Sequence, residues 1–248
     1  MTQRTIRRNA IASPSPTMTI NHSLQLRGNR PATDPVALPL EYSLPFAACY
    51  TCSPKGDSEV SQRSRQLFAR VKSDSAKWLK SYVASVHQEV TRKRLFCGVF
   101  NEHTLLVPVP CNAPPGRTLS WVARHLALAL QEAGLAEGVW TGLRRVSSAE
   151  RSSSAWMRER PTVQQHYQSF AVIPLQKPPA EIILIDGIIT KGRSLVAAAM
   201  LIHEACPKTD IRAFALVRTM GLVLDVERLF DPCEGVIRWN GKDARREP

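Results

Sequence analysis

Apolar residues recur at helical spacing between Val60 and Val90, roughly on one face of the predicted helix. These apolar positions are Leu67, Val71, Trp78, Tyr82 and Val86. Basic residues occupy much of the remaining surface, so the pattern predicts a basic amphipathic helix or a pair of helices. Before this segment, the prolines from Pro31 to Pro54 predict an irregular chain up to about Lys55.

A second pattern, from Leu105 to Gly134, predicts a strand followed by a helix. The run Leu105–Pro110 is apolar and closed by prolines, which suits a strand that ends at the C-terminal edge of a sheet. Helical spacing follows in Leu119, Val122, Ala123, Leu126, Ala129, Leu130 and Ala133. Thr118 or Ser120 can cap the start of this helix, and Gly134 suits its end.

The polar, arginine-rich stretch from Arg144 to Ser169 shows little periodicity of either kind. We interpret it as a long loop or a hairpin that lies over another part of the protein. The segment Phe170–Ile173, which follows it, predicts a strand.

Four consecutive apolar residues, Ile182–Ile185, predict a strand that is buried on both faces. From Ser194 the apolar residues recur at helical spacing until Pro207, and Ile211–Val217 supplies another strand. Strand, helix and strand in this order form a βαβ unit, whose two strands are parallel. The sequence therefore predicts a doubly wound α/β fold with a parallel sheet and helices on both faces.

The composition is that of a globular protein, with 44% hydrophobic and 22% charged residues among 248. This balance excludes a wholly disordered chain, a collagen-like fibre and a disulfide miniprotein. No apolar run approaches the length of a bilayer span, so we expect a soluble protein with no membrane partner. The formal net charge is +12, from 33 Lys and Arg against 21 Asp and Glu. Such a surplus favours a polyanionic partner or substrate.

Part of this charge lies in a leader rich in Ser, Thr and Pro, in which Arg residues precede the first acidic residue, Asp34. Such a leader is an organelle transit peptide, a nucleic-acid-binding arm or a disordered tail. We expect a flexible basic arm over residues 1–40 and an N-terminal cap with the basic helices over 41–100. We also expect an α/β core over 101–221 and a C-terminal extension over 222–248.

The six cysteines, with no export signal, indicate free thiols in a reducing cytoplasm. Cys49 and Cys52 have the spacing of metal ligands, but a structural zinc site needs a second pair or a Cys/His couple. Cys97, His87 or His103 could complete such a site. We expect no zinc at Cys49 and Cys52 and interpret them as an isolated pair of thiols.

The segment Asp186–Ser194, between the predicted strand and helix, carries the candidate chemistry. In doubly wound sheets, ligands bind where such segments lead into helix N-termini. Thr190 and Ser194 supply hydroxyls, Gly192 supplies flexibility, and backbone N–H groups at the helix start can converge on an anion. Asp186, at the predicted end of the strand, can accept hydrogen bonds from sugar hydroxyls or face a metal-bound water.

Residue types alone leave two interpretations of this segment open. It contains neither the GxxxxGK[ST] phosphate loop nor a GxGxxG after a strand. An ordinary strand–helix junction also carries Asp, Gly, Thr and Ser, for turn and capping reasons. Phosphate binding and a plain junction therefore stand as equal alternatives at this level.

The segment Ile182–Leu195 resembles the phosphoribosyl pyrophosphate (PRPP) signature of type I phosphoribosyltransferases. That signature has an apolar strand, two acids, two apolar residues and then Thr-Thr-Gly-x-Thr. From Cys49 to Thr219, the order of features resembles the competence-protein-F branch of the family. The shared features are a basic helical segment, a Val-Pro-Val-Pro strand at Val107–Pro110, an amphipathic helix, an arginine-rich stretch and a Phe-Ala-Val strand at Phe170–Val172. An N-terminal cysteine motif is also usual in that branch.

Departures from the signature concern its chemistry. Gly187 stands where the family has a second acid, so a carboxylate that would hold a ribose hydroxyl is missing. Lys191 replaces a threonine and Arg193 adds a cation, so the loop should still favour phosphate. Loss of a hydrogen-bonded carboxylate costs on the order of 1.5–3 kcal/mol, which predicts weaker ribose recognition. We therefore expect anion binding with weak or altered turnover.

The resemblance implies a displacement at ribose C1, with Mg²⁺ and cationic groups stabilising the departing pyrophosphate. It implies Mg²⁺ with PRPP as the cofactor and Asp186 as the catalytic candidate at the ribose hydroxyls. The implied ligand-binding residues are Thr190, Lys191, Gly192, Arg193, Ser194 and, near pyrophosphate, Arg117. Candidates for a mobile cover or for nucleic-acid contacts are Arg145, Arg158 and Arg160.

Two functions remain open from the sequence. The first is a phosphoribosyltransferase-like protein that binds PRPP or a related phosphosugar or nucleotide. The second is a protein of the same fold that associates with DNA or RNA without conventional turnover, such as a DNA-uptake factor or a retron-type antiviral defence effector. Asp186 and Thr190 favour the first function, whereas Gly187, Lys191 and the net charge favour the second.

Overall fold

The computed structural model describes residues 38–73, 76–92, 99–111, 121–147, 160–173 and 175–248. The strands are β1 (Tyr42–Cys52), β2 (Leu105–Pro108), β3 (Gly138–Val139), β4 (Leu143–Arg145), β5 (Phe170–Val172), β6 (Glu181–Ile189), β7 (Asp210–Thr219), β8 (Phe230–Trp239) and β9 (Ala244–Glu247). The helices are α1 (Glu59–Lys72), α2 (Ala76–Thr91), α3 (Val122–Glu132), α4 (Val163–Ser169) and α5 (Arg193–Ala205).

Most of the described strands belong to one mixed sheet in the order β3-β2-β6-β7-β1-β8-β9. The strands from β3 to β1 in this order are parallel to one another. Strand β8 is antiparallel to β1, and β9 is antiparallel to β8. Strands β4 and β5 form a separate antiparallel pair. The predicted α/β class is confirmed, and the predicted parallel sheet extends from β3 to β1 but not to the antiparallel strands β8 and β9.

Strand β6 is covered by helices on both faces. Ile182 and Leu184 are buried in the layer that contains α4 and α5, whereas Ile183 and Ile185 are buried against α1, α2 and α3. This alternation follows from the two-residue period of side chains along a strand. The sheet is therefore the middle layer of three, as a parallel strand made of consecutive apolar residues requires.

The helices begin and pack as their sequences dictate. The Ser58 side chain accepts a hydrogen bond from the Ser61 backbone N–H and caps α1, which buries Leu67 and Val71. Helix α5 buries every side chain from Leu195 to Ile202, because the sheet covers one side of it and α4 and β5 cover the other. Of the two alternatives for Val60–Val90, the structure has the helix pair, and the predicted βαβ unit of β6, α5 and β7 is confirmed.

Strand β1 corrects the prediction of an irregular chain up to about Lys55. It lies between β7 and β8, and its parallel register with β7 begins at Phe46, one residue after Pro45. All residues from 46 to 52 are buried. Pairing on both sides therefore outweighs the proline signal, and the cysteine pair lies in the central sheet and not in a separate cap.

Strand β6 is also longer than predicted. Ile188 and Ile189 continue the ladder by pairing with Val217 and Arg218 of β7. The loop between β6 and α5 therefore consists of residues 190–192 only, and Asp186 lies within the strand instead of at its end.

The C-terminal extension forms the β8–β9 hairpin, so a boundary at residue 221 does not separate it from the core sheet. The arginine-rich stretch begins within β4 and ends with the short helix α4, which periodicity did not reveal. Thr162 and Gln165 form a capping box that starts this helix. Helix α3 ends at a left-handed Gly134, as predicted, with φ +75°.

Several predicted features lie outside the described residues. They are the arm over 1–37, Cys97, Arg117, Thr118, Ser120 and Arg158. In the part of the chain that the structure describes, no helix has the length and apolar content needed to cross a bilayer.

We expect the backbone amides of β1 to exchange with deuterium as slowly as those of β7, because a strand paired on both sides opens only with global unfolding. Hydrogen–deuterium exchange followed by mass spectrometry measures this directly. The edge strand β9 is the internal comparison and should exchange faster. Exchange of β1 as fast as a surface loop would contradict its place in the sheet.

Candidate functional site

A cleft of about 550 Å³ opens where the parallel strand β6 ends and α5 begins. One wall consists of Ile188 and residues 190–194, which are the loop and the first residues of α5. The opposite wall consists of residues 160–162 and His166, at the start of α4. The structure thus places all the predicted residues from Thr190 to Ser194 around one cavity, at the sheet edge where doubly wound folds bind ligands.

The N-terminus of α5 faces this cleft without a side-chain cap. Gly192 is the N-cap residue, and its φ of +82° is in the left-handed region that favours glycine. A Cβ at this position would also lie 2.7 Å from Cδ1 of Ile237. The first N–H groups of an α-helix lack intrahelical acceptors. Since glycine offers no side chain to accept from them, they are suited to an anion.

Asp186 lies behind Ser194 and not in the cleft wall. The Ser194 hydroxyl donates to Oδ2 of Asp186 at 3.4 Å, and the Ile188 backbone N–H approaches Oδ1 at 3.5 Å. Burial raises the pKa of Asp186 to about 6, although these bonds and one from the Gly187 N–H oppose the shift. Asp186 is therefore a half-buried residue next to the cleft lining and bonded to one of its members, Ser194.

Lys191 and Arg193, the two cations expected to favour phosphate, share one carboxylate. Asp243, between β8 and β9, accepts from Nζ of Lys191 at 2.6 Å and from Nε and Nη2 of Arg193 at 2.6 and 2.8 Å. These bonds, that of Arg193 foremost, hold the pKa of Asp243 well below its usual range. The carboxylate offsets part of the positive charge that the sequence places in the loop.

Arg160 connects the two walls of the cleft. Its Nη1 donates to Oγ1 of Thr190 at 2.9 Å, and its carbonyl oxygen accepts from Nη1 of Arg193 at 3.0 Å. The Arg160 side chain is exposed at the cleft mouth. Of the three arginines predicted to form a cover, Arg160 is the one that the described structure places at the site.

Arg145 is instead a half-buried structural residue. Its guanidinium donates to the carbonyl oxygen of Cys111 at 2.8 Å and to Oγ of Ser169, and it lies 4.4 Å from the centre of the Phe170 ring. Burial lowers the pKa of Arg145 to about 10. These contacts join the end of β2 to the β4–β5 pair, so Arg145 does not belong to a mobile cover.

His166 is a cleft residue that the sequence did not indicate. Burial, with Arg145 and Arg193 nearby, lowers the pKa of His166 to about 4, so the ring is neutral near pH 7. Nη2 of Arg145 lies 3.5 Å from Nδ1 of His166. Because a guanidinium only donates, Nδ1 must be the acceptor, which places the ring proton on Nε2.

Gly187 is a packing position in this fold. A Cβ added there would lie 2.9 Å from Cγ1 of Val122 and 3.3 Å from Cγ1 of Val71. It would therefore point into the α1–α3 layer, which lies on the far side of the sheet from α5. The acid that the resembled signature carries at this position cannot be accommodated without displacing both valines.

The C-terminal hairpin supplies the contacts that sequence reasoning missed. Besides Asp243, Arg246 of β9 donates from Nε to the carbonyl oxygen of Thr190 at 3.2 Å. The Asn240-Gly241 pair is a common hairpin turn signal and could have predicted β8 and β9. No local pattern could have shown that this hairpin folds back onto the loop.

The cysteine pair does not contribute to this site. Burial raises the pKa of both the Cys49 and the Cys52 thiol, which opposes the thiolate form that zinc requires. Among the described residues there is no group of three or more His, Cys, Asp or Glu side chains placed to hold a metal ion.

Neither the protein-family models nor the curated proteins compared with the chain give a match. The geometry of the cleft therefore carries the functional assignment.

We expect Gly187→Ala to lower the free energy of unfolding by about 1–2 kcal/mol, because the new Cβ overpacks the contact with Val122 and Val71. Denaturant unfolding measures this change. Gly221→Ala is the matched control, since a Cβ there meets no heavy atom within 4 Å. Equal stability of the two variants would contradict the packing role of Gly187.

We expect Asp186→Asn to raise the free energy of unfolding at about pH 7.5 by on the order of 1–3 kcal/mol. The folded-state pKa of Asp186 is raised from 3.8 to about 6. The protonated carboxyl group is therefore compatible with the fold at low pH, and the wild type loses stability as the pH rises through about 6. Unfolding measured at about pH 4 should show little difference between the two proteins.

Asp57→Asn is the matched control, since it removes a carboxylate from an exposed position. A stability difference for Asp186→Asn that is the same at both pH values would rule out burial of the ionised carboxylate as its cause.

Proposed function

We propose that the cleft binds the phosphate group of a small phosphorylated ligand of the phosphoribosyl kind, PRPP or a related phosphosugar or nucleotide. The observation that carries the proposal is the uncapped N-terminus of α5 at the cleft. Hydroxyls of Thr190 and Ser194 and the guanidinium of Arg160 surround it. Backbone N–H groups, hydroxyls and a guanidinium are the donors that phosphate sites use.

The arrangement of the sheet supports the resemblance to type I phosphoribosyltransferases at the level of fold. The segment that resembles their signature forms β6, the loop and the start of α5, and β6 lies between β2 and β7 in the parallel part of the sheet. The cleft is at the carboxyl edge of these strands, where the family's ligand would be expected.

The same geometry favours binding over turnover. Asp186 does not line the cleft, and the position of the second acid, Gly187, faces the opposite helical layer. Asp186 alone is a poor donor set for a protein-held Mg²⁺, which prefers several oxygen ligands. In this proposal Mg²⁺ accompanies the pyrophosphate of PRPP, and no step of turnover is assigned to the protein's own residues.

Nucleic-acid association, the alternative, rests on the net charge of +12. Of the arginines considered for nucleic-acid contacts, Arg145 is half-buried and holds structural contacts, and Arg158 lies outside the described residues. Arg160 lies at the cleft, where a small phosphate explains its position. The described residues therefore support the small ligand more directly.

Isothermal titration of PRPP, with and without Mg²⁺, and of ribose 5-phosphate tests the proposal. We expect binding to the wild type and about tenfold or more weaker binding to Arg160→Gln, because a hydrogen bond from a charged group contributes about 1.5–3 kcal/mol. Arg63→Gln is the matched control, since Arg63 is exposed on α1 and pairs with Glu59.

Absence of heat with every phosphorylated compound would overturn the proposal, as would equal weakening by both substitutions. An oligonucleotide titrated in parallel distinguishes the alternative. Binding of the oligonucleotide alone, strongest at low salt, would favour nucleic acid as the partner.

A further inference from the structure

His166 lies in the cleft wall opposite the start of α5, and two contacts fix the orientation of its ring. The ring stacks on that of Phe170, with 6.0 Å between the centres and 25° between the planes. Its Nδ1 lies 3.5 Å from Nη2 of Arg145, which is itself held by the carbonyl oxygen of Cys111 and by Oγ of Ser169. A ring held on one face and at one nitrogen presents its other nitrogen in a defined position.

The same contacts determine which nitrogen of the His166 ring carries the proton. A guanidinium has only donors, so Nδ1 faces Arg145 as an acceptor and the proton is on Nε2. Burial lowers the pKa of His166 to about 4, so the ring carries no charge near pH 7. His166 therefore presents a neutral N–H donor at Nε2.

This donor is open to the cleft. Among the residues that the structure describes, none accepts a hydrogen bond from Nε2 of His166. In the same part of the chain, the buried side-chain nitrogen and oxygen atoms without a partner are Nε of Arg218 and Nη1 of Arg246. Nε2 is not one of them, so it is accessible although His166 is only 9% exposed. Since His166 lines the cleft, the accessible donor faces the space that a ligand would fill.

The wall that contains His166 is joined to the start of α5. Nη1 of Arg193, the first residue of α5, donates to the carbonyl oxygens of Arg160 at 3.0 Å and of Pro161 at 3.4 Å. His166 is one helical turn away from this contact, since its backbone N–H donates to the carbonyl oxygen of Thr162 at 3.1 Å. The Nε2–H donor and the first N–H groups of α5 therefore border one cavity from two sides.

We propose that His166 is a ligand-binding residue, which donates its Nε2–H to the phosphate group of the ligand from the wall opposite the α5 N-terminus. This inference rests on the proposed function and adds one donor to that site. A phosphate monoester has three strong acceptor oxygens, so it can accept from α5 and from His166 at once. Because the donor is neutral, it adds a directed hydrogen bond and no general attraction for anions.

The first test uses the wild type labelled with nitrogen-15, and it records long-range proton–nitrogen correlations of the imidazole rings near pH 7. We expect His166 to carry its proton on Nε2, and inorganic phosphate to shift the Nε2 resonance. His87 is the control, since it is exposed on α2, which lies on the other face of the sheet, and its resonances should shift far less. The His166 signals are identified by their absence from the spectrum of His166→Asn.

The second test compares two matched variants, His166→Asn and His166→Gln, both of which lose the ring that stacks on Phe170. Asparagine can accept from Arg145 in place of Nδ1, but it has no group at the position of Nε2. Glutamine is longer by one methylene, so its amide N–H groups reach that position. In titrations with inorganic phosphate, we expect about three- to tenfold weaker binding to His166→Asn, the loss of one neutral hydrogen bond. We expect His166→Gln to bind within about twofold of the wild type.

The outcomes separate this inference from the function on which it rests. If phosphate does not bind the wild type, the proposed function fails and the inference fails with it. If phosphate binds but leaves the Nε2 resonance unshifted, or if Nδ1 carries the proton, the function stands and the role of His166 is overturned. Equal affinities of the two variants would also overturn it.

Ribose 5-phosphate titrated in parallel tests which part of the ligand accepts the hydrogen bond. Weaker binding of ribose 5-phosphate to His166→Asn, with unchanged binding of inorganic phosphate, would assign His166 to the sugar and overturn the inference. Thermal unfolding shows whether each variant is folded. If either is not, the spectra of the wild type decide.

Discussion

Strand β6 is packed between two helical layers, and its side chains are divided between them. Because both faces of the strand are buried, its side chains must be apolar. The strand pairs with β2 and β7, and α5 returns over the sheet. The loop that joins β6 to α5 therefore emerges at the carboxyl edge, with the α5 N-terminus beside it. Gly187 also follows from this constraint, since α1 and α3 approach the strand too closely for a side chain there.

The same packing explains how the site differs from a simple cationic phosphate loop. Two cationic side chains lie on either side of Gly192. Each of them has a negatively charged partner. The carboxylate of Asp243 engages both Lys191 and Arg193. The positive charge that marks this segment in the sequence is thus a poor measure of the charge that a ligand meets.

Sequence reasoning succeeded where one segment carries its own signal. The consecutive apolar residues Ile182–Ile185 predict the buried strand, and the helical spacing of apolar residues after Ser194 predicts α5. It failed where the structure of a segment depends on a partner that is distant in sequence. The prolines around strand β1, Pro45 among them, predict an irregular chain, yet β7 and β8 pair with this strand from both sides. Asp243 has no local feature that marks it, because its role arises only when the hairpin folds back onto the loop.

The hairpin's contacts also determine how small a fragment can reproduce the site. Lys191 and Asp243 are 52 residues apart in sequence. A peptide of the loop, or a fragment consisting of β6, α5 and β7, would contain every cation of the loop but neither Asp243 nor Arg246. Such a fragment would hold the loop by fewer contacts and leave Lys191 and Arg193 without the carboxylate that they share. The contacts and charge balance of this loop therefore belong to the assembled sheet and cannot be transplanted with the loop alone.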